Sequence, residues 1–109
     1  MGMTMAEKVL ARASGRGEVK PGEYVTAKVD QVMGHDAFAE VYGVLKKAGI
    51  DRVWDPSRIA VLLDHYVPAP SVAYAEDHKL IREAVKTLGI DHWYDMRAGI
   101  CHQIMGEKG

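Results

Sequence analysis

The run Ile59-Ala-Val-Leu-Leu63 constrains the fold of this chain more than any other stretch, because it is continuously apolar and lies between Pro56 and Pro68. A run of this length with these boundaries predicts a strand buried on both faces, as the strands of parallel sheets are. The run ends in Asp64 and His65. Ligands of open α/β sheets bind outside the carboxyl ends of the strands, so this pair is expected where such a sheet carries its chemistry.

Helical and strand patterns lie on both sides of this run. Before it, alternation over residues 24–29 predicts a first strand, and apolar spacing over residues 36–49 predicts a helix. After it, residues 71–89 predict a long helix and residues 90–95 a third strand. The order β-α-β-α-β favours an α/β fold in which helices cover a layer of parallel strands, with residues 1–109 as a single α/β domain fragment.

A further helix is predicted near the amino terminus. Thr4 and Glu7 have the spacing of a capping box, in which each side chain bonds the backbone of the other residue. Gly15 is expected to end this helix, because glycine readily adopts the left-handed conformation of a helix C-cap. The residues expected to face inward are Ala6, Val9, Leu10 and Ala13.

The two helices between the predicted strands also have capping residues. Asp36 is the expected N-cap of the first helix and Ser71 that of the second, and Gly49 and Gly89 are the expected stops. The segment around His78 is polar on every side, so we expect it to be exposed. The residues expected to face inward are Phe38, Val41, Tyr42, Leu45 and Ala48 in the first helix, and Leu80, Ile81, Ala84, Val85 and Leu88 in the second.

Composition argues against several classes of function. The 14 basic and 15 acidic residues leave a net charge of −1, so no basic excess indicates a nucleic-acid partner. No apolar run approaches the roughly 20 residues of a membrane span, and the amino terminus lacks the pattern of a secretion signal, so a cytoplasmic protein is expected. Cys101 is the only cysteine, which rules out an internal disulfide and supplies too few thiolates for an iron–sulfur centre.

Three segments at the predicted carboxyl edge of the sheet each carry a histidine with a polar neighbour. Imidazoles exchange protons near neutral pH, and an adjacent carboxylate orients them and raises their basicity. The pattern therefore predicts a proton-transfer site at this edge. The pairs are His35 with Asp36, Asp64 with His65, and His102 with Gln103.

Most of these residues could also have a purely structural role. Asp36 could serve only as a helix cap, His35 could be an ordinary loop residue, and His102 could cap or solvate the start of a helix. Cys101 is more typical of a small buried residue than of a nucleophile, because neighbouring side chains point to different faces of a regular element. The Asp-His pair after the central run is harder to explain in this way, since polar groups at the end of a buried strand need partners or substrate.

Five segments together resemble one family, and they occur in order over essentially the whole chain. Residues 3–11, 29–36, 61–68, 78–83 and 99–103 look like the amino-terminal part of the large subunit of 3-isopropylmalate dehydratase, a member of the aconitase superfamily together with the homoaconitases. The specific motifs are Asp-His and Gly-Ile-Cys-His-Gln. The resemblance implies that the predicted sheet is an incomplete portion of an aconitase-like three-layer domain.

The resemblance also implies an activity. The superfamily consists of hydro-lyases. The family that this chain resembles, 3-isopropylmalate dehydratase, isomerises 2- to 3-isopropylmalate in leucine biosynthesis by dehydration and rehydration. A [4Fe–4S] cluster with one open iron site acts there as a Lewis acid on the substrate. By resemblance, the catalytic residues are His65, His102 and the orienting Asp64, and the substrate-binding residues are His35, Asp36 and Gln103, with no metal ligand in this chain.

The sequence departs from the family in what it lacks. The family continues with an Asp-Ser-His segment and has three cluster cysteines far downstream, and Cys101 does not correspond to any of them. We therefore expect a fragment that binds no cluster and has no dehydratase activity alone. Its expected partners are the rest of the large subunit, a small subunit and a small hydroxy acid.

Two other classes of function stay open at this point. The histidine-bearing strand ends could bind a small carboxylate or a metal without catalysis. Alternatively, a sheet of few strands has unpaired edges, which favour association with a second chain, so the protein could be a self-associating interaction fragment.

Overall fold

The computed structural model describes residues 2–108, and the chain divides into two compact units, Met1–Asp30 and Gln31–Gly109. The described residues of the first unit, 2–30, contain one helix, α1 (Met5–Ser14). Its capping box is confirmed: the backbone N–H of Thr4 donates to Glu7 Oε2 at 2.6 Å, and that of Glu7 donates to Thr4 Oγ1 at 3.3 Å. Gly15 ends the helix in the left-handed conformation, as predicted.

The predicted inward face of α1 is wrong in most positions. Val9 is 59% exposed, and Leu10 and Ala6 are not buried either, whereas Ala11 is buried. A later segment returns to the last turn of the helix, where the N–H of Lys28 donates to the carbonyl of Ala13 at 2.8 Å. Burial therefore follows this returning segment rather than the apolar stripe, since a unit of this size has too little chain to cover a helix face.

The second unit is a three-stranded parallel sheet with strand order β1-β2-β3, which confirms the predicted α/β architecture. The strands are β1 (Val32–Gly34), β2 (Ile59–Leu62) and β3 (His92–Tyr94). The helices are α2 (Phe38–Lys47), α3 (Val72–Leu88) and α4 (Cys101–Lys108), and a short 3-10 turn covers Pro56–Arg58. No helix among residues 2–108 is long and apolar enough to cross a membrane.

The predicted first strand is wrong. Residues 24–29, all of them described, form no strand, and Tyr24 is fully exposed. The strand forms instead at Val32–Gly34, between the predicted strand and the predicted helix, because that segment pairs in register with β2, from Val32 opposite Ile59 to Gly34 opposite Val61. Pairing with a buried strand, and not local alternation, decides where this strand lies.

The central strand is buried on both faces, as predicted. Val61 and Leu63 pack with α2 and α3, whereas Ala60 and Leu62 pack with α4. The two faces alternate along the strand because successive side chains of a strand point in opposite directions. Both crossover helices lie on one face because right-handed connections in the order β1-β2-β3 place them there.

The helices of the second unit confirm some predictions and correct others. Ala37 and not Asp36 is the N-cap of α2, and no side chain bonds its first turn. Ser71 caps α3, and Gly89 ends it in the left-handed conformation. Val41 and Ala48 are exposed, because α3 and β2 cover only the side of α2 that carries Phe38, Ala39 and Tyr42. The predicted inward residues of α3 are confirmed: Ile81, Ala84, Val85 and Leu88 are buried, and Leu80 packs partly against them.

Candidate functional site

The carboxyl ends of β1 and β2 bring four of the six predicted site residues together. β1 leads directly into His35 and Asp36, and β2 leads through the buried Leu63 into Asp64 and His65. The rings of His35 and His65 stack with their centroids 4.1 Å apart and their planes 13° apart. The shared edge of a parallel sheet is thus where two of the predicted histidines meet.

Asp64 and His65 form a close pair. His65 Nδ1 lies 2.5 Å from Asp64 Oδ1, and the side chain of His65 is 47% exposed against 9% for Asp64. The hydrogen bond to Asp64 raises the pKa of His65, and desolvation opposes this only in part. Because a carboxylate accepts hydrogen bonds, neutral His65 is assigned its proton on Nδ1, and Nε2 is the atom that exchanges protons with a ligand.

The carboxylate of Asp64 also binds the first turn of α4. The backbone N–H of Cys101 donates to Asp64 Oδ2 at 2.7 Å. Burial acts to raise the pKa of Asp64, but the hydrogen bonds from Cys101 and His65 outweigh it, so that the pKa lies below its ordinary value. Asp64 is therefore a charged acceptor that orients His65, as the sequence predicts for an Asp-His pair.

His35 is held in the opposite tautomer. Its Nδ1 accepts a hydrogen bond from the backbone N–H of Ala37 at 3.2 Å, and this assigns the proton of the neutral ring to Nε2. The stacked pair therefore combines one imidazole that exchanges a proton at Nε2, His65, with one that donates a hydrogen bond from Nε2, His35. Such a pair suits a ligand with an oxygen acceptor, for example a carboxylate or a hydroxyl group.

Asp36 follows His35 in the chain and is only 3% exposed. Its Oδ2 accepts the backbone N–H groups of Asp64 and His65 at 3.0 and 2.8 Å, and its Oδ1 accepts the N–H of Tyr66 at 3.3 Å and faces His78 Nε2 at 2.8 Å. A carboxylate has about four acceptor positions, and these four partners use them. Burial acts to raise the pKa of Asp36, but these hydrogen bonds outweigh it and hold the pKa below its ordinary value.

His78 is the residue that sequence reasoning missed. The polar segment around it predicts exposure, but His78 is 2% exposed and bonded to Asp36. The reason is its place on α3, three residues before Ile81 and seven before Val85, on the apolar stripe that faces the core. Extending that stripe by one turn toward the start of the helix would have found it.

A second polar link from α3 reaches the loop after β3. Arg82 binds Asp95 through two hydrogen bonds, Nε to Oδ2 at 2.7 Å and a terminal guanidinium nitrogen to Oδ1 at 2.9 Å. This guanidinium lowers the pKa of Asp95. Because His78 and Arg82 are four residues apart, they lie on one face of α3 and reach the loops after two different strands.

The predicted residues on α4 are not part of the stacked cluster. The amide of Gln103 donates to Glu107 Oε1 at 2.9 Å along the helix surface. His102 is exposed, and among residues 2–108 its side chain has no hydrogen bond, ion pair or ring contact. Cys101 is 2% exposed, and burial raises the pKa of its thiol, with Asp64 adding to the effect. This position agrees with the small buried residue that the sequence predicts.

Within residues 2–108, two groups of side chains have metal-ligand spacing, but the carboxylates in both groups are already hydrogen-bonded within the chain. His35, Asp36 and His65 form one group, and Asp64, His65 and Cys101 form the other, with ligand atoms within 4.8 Å of one another. Asp36 has four partners, and Asp64 is bonded to His65 and to the N–H of Cys101. A [4Fe–4S] cluster needs several thiolates, whereas the single cysteine of this sequence is a buried thiol, so these residues do not fit a cluster.

Comparison with known proteins extends the resemblance found in the motifs. No protein-family model matches the chain. The chain is 52% identical over its full length to 3-isopropylmalate dehydratase large subunit 1 of Methanopyrus kandleri, of which it covers 26%. It is 47% identical to the 3-isopropylmalate dehydratase large subunit of Aquifex aeolicus, again over 26% of that protein. A probable methanogen homoaconitase large subunit of Methanothermobacter thermautotrophicus is 41% identical over 98% of this chain.

The extent of these matches confirms the predicted resemblance. The whole chain is similar to the amino-terminal part of 3-isopropylmalate dehydratase large subunits, and it spans about a quarter of their length. The region that carries the stacked histidines and the Asp64–His65 pair lies inside this match.

Proposed function

We propose that this chain is the amino-terminal part of the large subunit of a 3-isopropylmalate dehydratase, and that it contributes the Asp64–His65 pair to the active site. The observation that supports this most directly is the pair itself, placed at the carboxyl end of a buried central strand and stacked on His35. Full-length similarity to large subunits of this enzyme supports the substrate class.

His65 has the properties of a general acid for the removal of water. Loss of water removes a proton from the carbon next to the one that carries the hydroxyl, and the electrons of that C–H bond form the double bond; we propose that another segment of a full-length large subunit supplies this base. Because hydroxide is a poor leaving group, the hydroxyl must itself take up a proton as its bond to carbon breaks. His65 offers the proton for the hydroxyl at Nε2 while Asp64 stabilises the charged ring through Nδ1, and the hydrogen bond to Asp64 raises the pKa of His65, which favours the protonated ring. In the addition of water the same nitrogen takes the proton back.

His35 is proposed to bind the substrate through Nε2–H, since its Nδ1 is occupied by the N–H of Ala37. His102 is proposed as a second catalytic residue and Gln103 as a substrate contact, both presented by α4, whose first N–H is bound to Asp64. The expectation that Asp36 contacts substrate stays a prediction, and its four protein partners favour a positioning role instead.

We propose that the complete enzyme also needs an iron–sulfur cluster and partners that residues 1–109 do not supply. When bound, a [4Fe–4S] cluster supplies the Lewis acid of the reaction, and we propose that other segments of a full-length large subunit hold it. The proposed assembly also includes a small subunit, a cytoplasmic location and a role in leucine biosynthesis. We propose that residues 1–109 form one α/β part of that subunit and are inactive alone.

A chimaera tests this proposal. The corresponding segment of the Methanopyrus kandleri large subunit is replaced by this chain, and conversion of 2- to 3-isopropylmalate is measured with the small subunit present. We expect an active chimaera that loses about 10²- to 10⁴-fold in kcat in the His65→Gln variant. The matched control is His92→Gln, at an exposed position at the start of β3. An inactive chimaera that assembles and carries its cluster, or full activity in His65→Gln, would contradict the proposal.

A further inference from the structure

The pair formed by Asp36 and His78 is more deeply buried than the Asp64–His65 pair of the proposed active site. The side chain of Asp36 is 0% exposed and that of His78 is 3% exposed, compared with 47% for His65. Burial of a carboxylate is unfavourable unless hydrogen bonds compensate it, so a pair in this position needs a structural or functional reason.

The partners of Asp36 indicate what the pair does. The carboxylate accepts hydrogen bonds from the three consecutive N–H groups of Asp64, His65 and Tyr66, the residues that turn away from the central strand. Three amides that converge on one carboxylate fix the peptide planes of this turn. They thereby fix the direction in which the side chains of Asp64 and His65 leave the backbone.

His78 holds that carboxylate in place from α3. Its Nε2 lies 2.8 Å from Asp36 Oδ1, and both side chains are enclosed by the core. The contact therefore links three segments that are distant in the sequence: the residue pair after β1, the turn after β2 and the first half of α3.

We propose that Asp36 and His78 are a buried positioning pair that sets the geometry of the Asp64–His65 turn and the stacking of His65 on His35. Neither residue needs to touch the substrate in this role. The groups that face His65 are the carboxylate of Asp64, the ring of His35 and, at longer range, the charge of Asp36, and each of them depends on the position of this turn. The inference deepens the proposed function because it concerns the same site.

The chain provides a matched control for this proposal. Arg82 lies one turn after His78 on α3 and binds Asp95 through two hydrogen bonds, but it has no bond to residues 64–66. Loss of the Arg82–Asp95 pair should destabilise the second unit without changing the turn. Arg82→Gln therefore separates a general loss of stability from a loss of positioning.

The experiment uses NMR of the 109-residue chain and needs no dehydratase activity. The signals of the Cε1–H groups of His35 and His65 are followed across a pH titration in His78→Leu, His78→Gln, Asp36→Asn and Arg82→Gln, and stability is measured by urea unfolding. Because stacking shifts these signals, they report the His35–His65 geometry, and the titration reports the pKa of His65. Failure of the proposed function in the chimaera would leave this readout unaffected.

We expect His78→Leu and Asp36→Asn to move the ring signals of His35 and His65 toward those of exposed histidines and to lower the pKa of His65. His78→Gln, whose amide can donate to Asp36, should keep both closer to the wild-type values. Arg82→Gln should lose stability with unchanged ring signals. Unchanged ring signals and an unchanged pKa of His65 in both His78→Leu and Asp36→Asn would overturn the proposal.

A measurement on the wild-type chain decides the question if these variants do not fold. The amides of Asp64, His65 and Tyr66 should exchange with deuterium more slowly than the same amides in the urea-unfolded chain, because each is bonded to a buried carboxylate. Exchange of all three at the unfolded rate would overturn the proposal.

Discussion

The carboxylate of Asp64 accepts the backbone N–H of Cys101 at 2.7 Å, and this bond joins the end of β2 to the beginning of α4. The other oxygen of the same carboxylate lies against Nδ1 of His65. One side chain therefore fixes an imidazole on one side and a helix start on the other. The chemistry of the site and the packing of α4 share this residue.

Removal of the charge on Asp64 should lower the pKa of His65. In Asp64→Asn the imidazolium loses the carboxylate whose hydrogen bond is the largest cause of its raised pKa. An NMR titration of the His65 ring measures this change. Asp55→Asn is the control, because Asp55 bonds Ser57 and Arg58 and not the site. An identical titration curve in Asp64→Asn and the wild type would contradict the assignment.

Stability should fall at acid pH. Asp36, Asp64 and Asp95 all have a pKa below the ordinary value in the folded chain. Such groups contribute stability that is fully present above their unfolded pKa of about 3.9 and is lost as the pH falls through the lower folded values. The urea midpoint should therefore decrease below about pH 4.

Asp36→Asn should reduce this acid dependence, whereas Asp91→Asn, at an exposed position, should leave it as in the wild type. His65 acts with the opposite sign. Its raised pKa contributes stability that is present below the unfolded value and is lost as the pH rises through the folded one. A urea midpoint that stays constant on acidification to about pH 2 would refute the proposed role of the carboxylates.

A methyl group at Gly34 should be destabilising. A Cβ atom built there would lie 2.8 Å from Cδ2 of Phe38, whose ring is buried in the core. Gly34→Ala should therefore cost about 1–3 kcal/mol of unfolding free energy, as overpacking of a core does. Gly43→Ala in α2 is the matched control: a Cβ atom added there would meet nothing within 4 Å, and alanine should stabilise the helix by up to about 1 kcal/mol. Equal urea midpoints for the two variants would show that Phe38 yields without cost.

The thiol of Cys101 should react slowly in the folded chain. Burial and the neighbouring Asp64 raise its pKa, so little thiolate is present at neutral pH, and the residue is 2% exposed. Absorbance on addition of a disulfide reagent gives the rate. We expect slow reaction in buffer and rapid reaction in urea. Rapid reaction in both would mean that the first turn of α4 opens readily.

Sequence reasoning found the central strand and the Asp64–His65 pair because their signal is local. A continuous apolar run that ends in polar residues is visible without knowledge of its partners. The first strand was misplaced because Val32–Gly34 has no pattern of its own and is a strand only by pairing with β2. Residues 24–29 have the alternation but no partner strand.

The role of Asp36 was missed for a similar reason. In the sequence it precedes a helix, which is the usual position of a cap, but in the structure its carboxylate turns toward residues 28 to 30 positions away and toward His78. A bond between such distant residues leaves no trace in spacing. His78 lies on the apolar stripe of α3, but a hydropathy scale gives a histidine the same polar value whether it is exposed or buried and hydrogen-bonded. The sequence pattern therefore predicts that His78 is exposed.

The two-sided packing of the central strand has a consequence for insertions and deletions. Ala60, Leu62 and Asp64 follow one another on the side of α4, while Val61 and Leu63 point to the other layer. Adding or removing one residue within this strand would exchange the two sets of side chains. Asp64 would then point into the apolar core, and His65 would turn away from the ring of His35. The alternation of side chains along this strand therefore determines both the packing of the core and the orientation of Asp64 and His65.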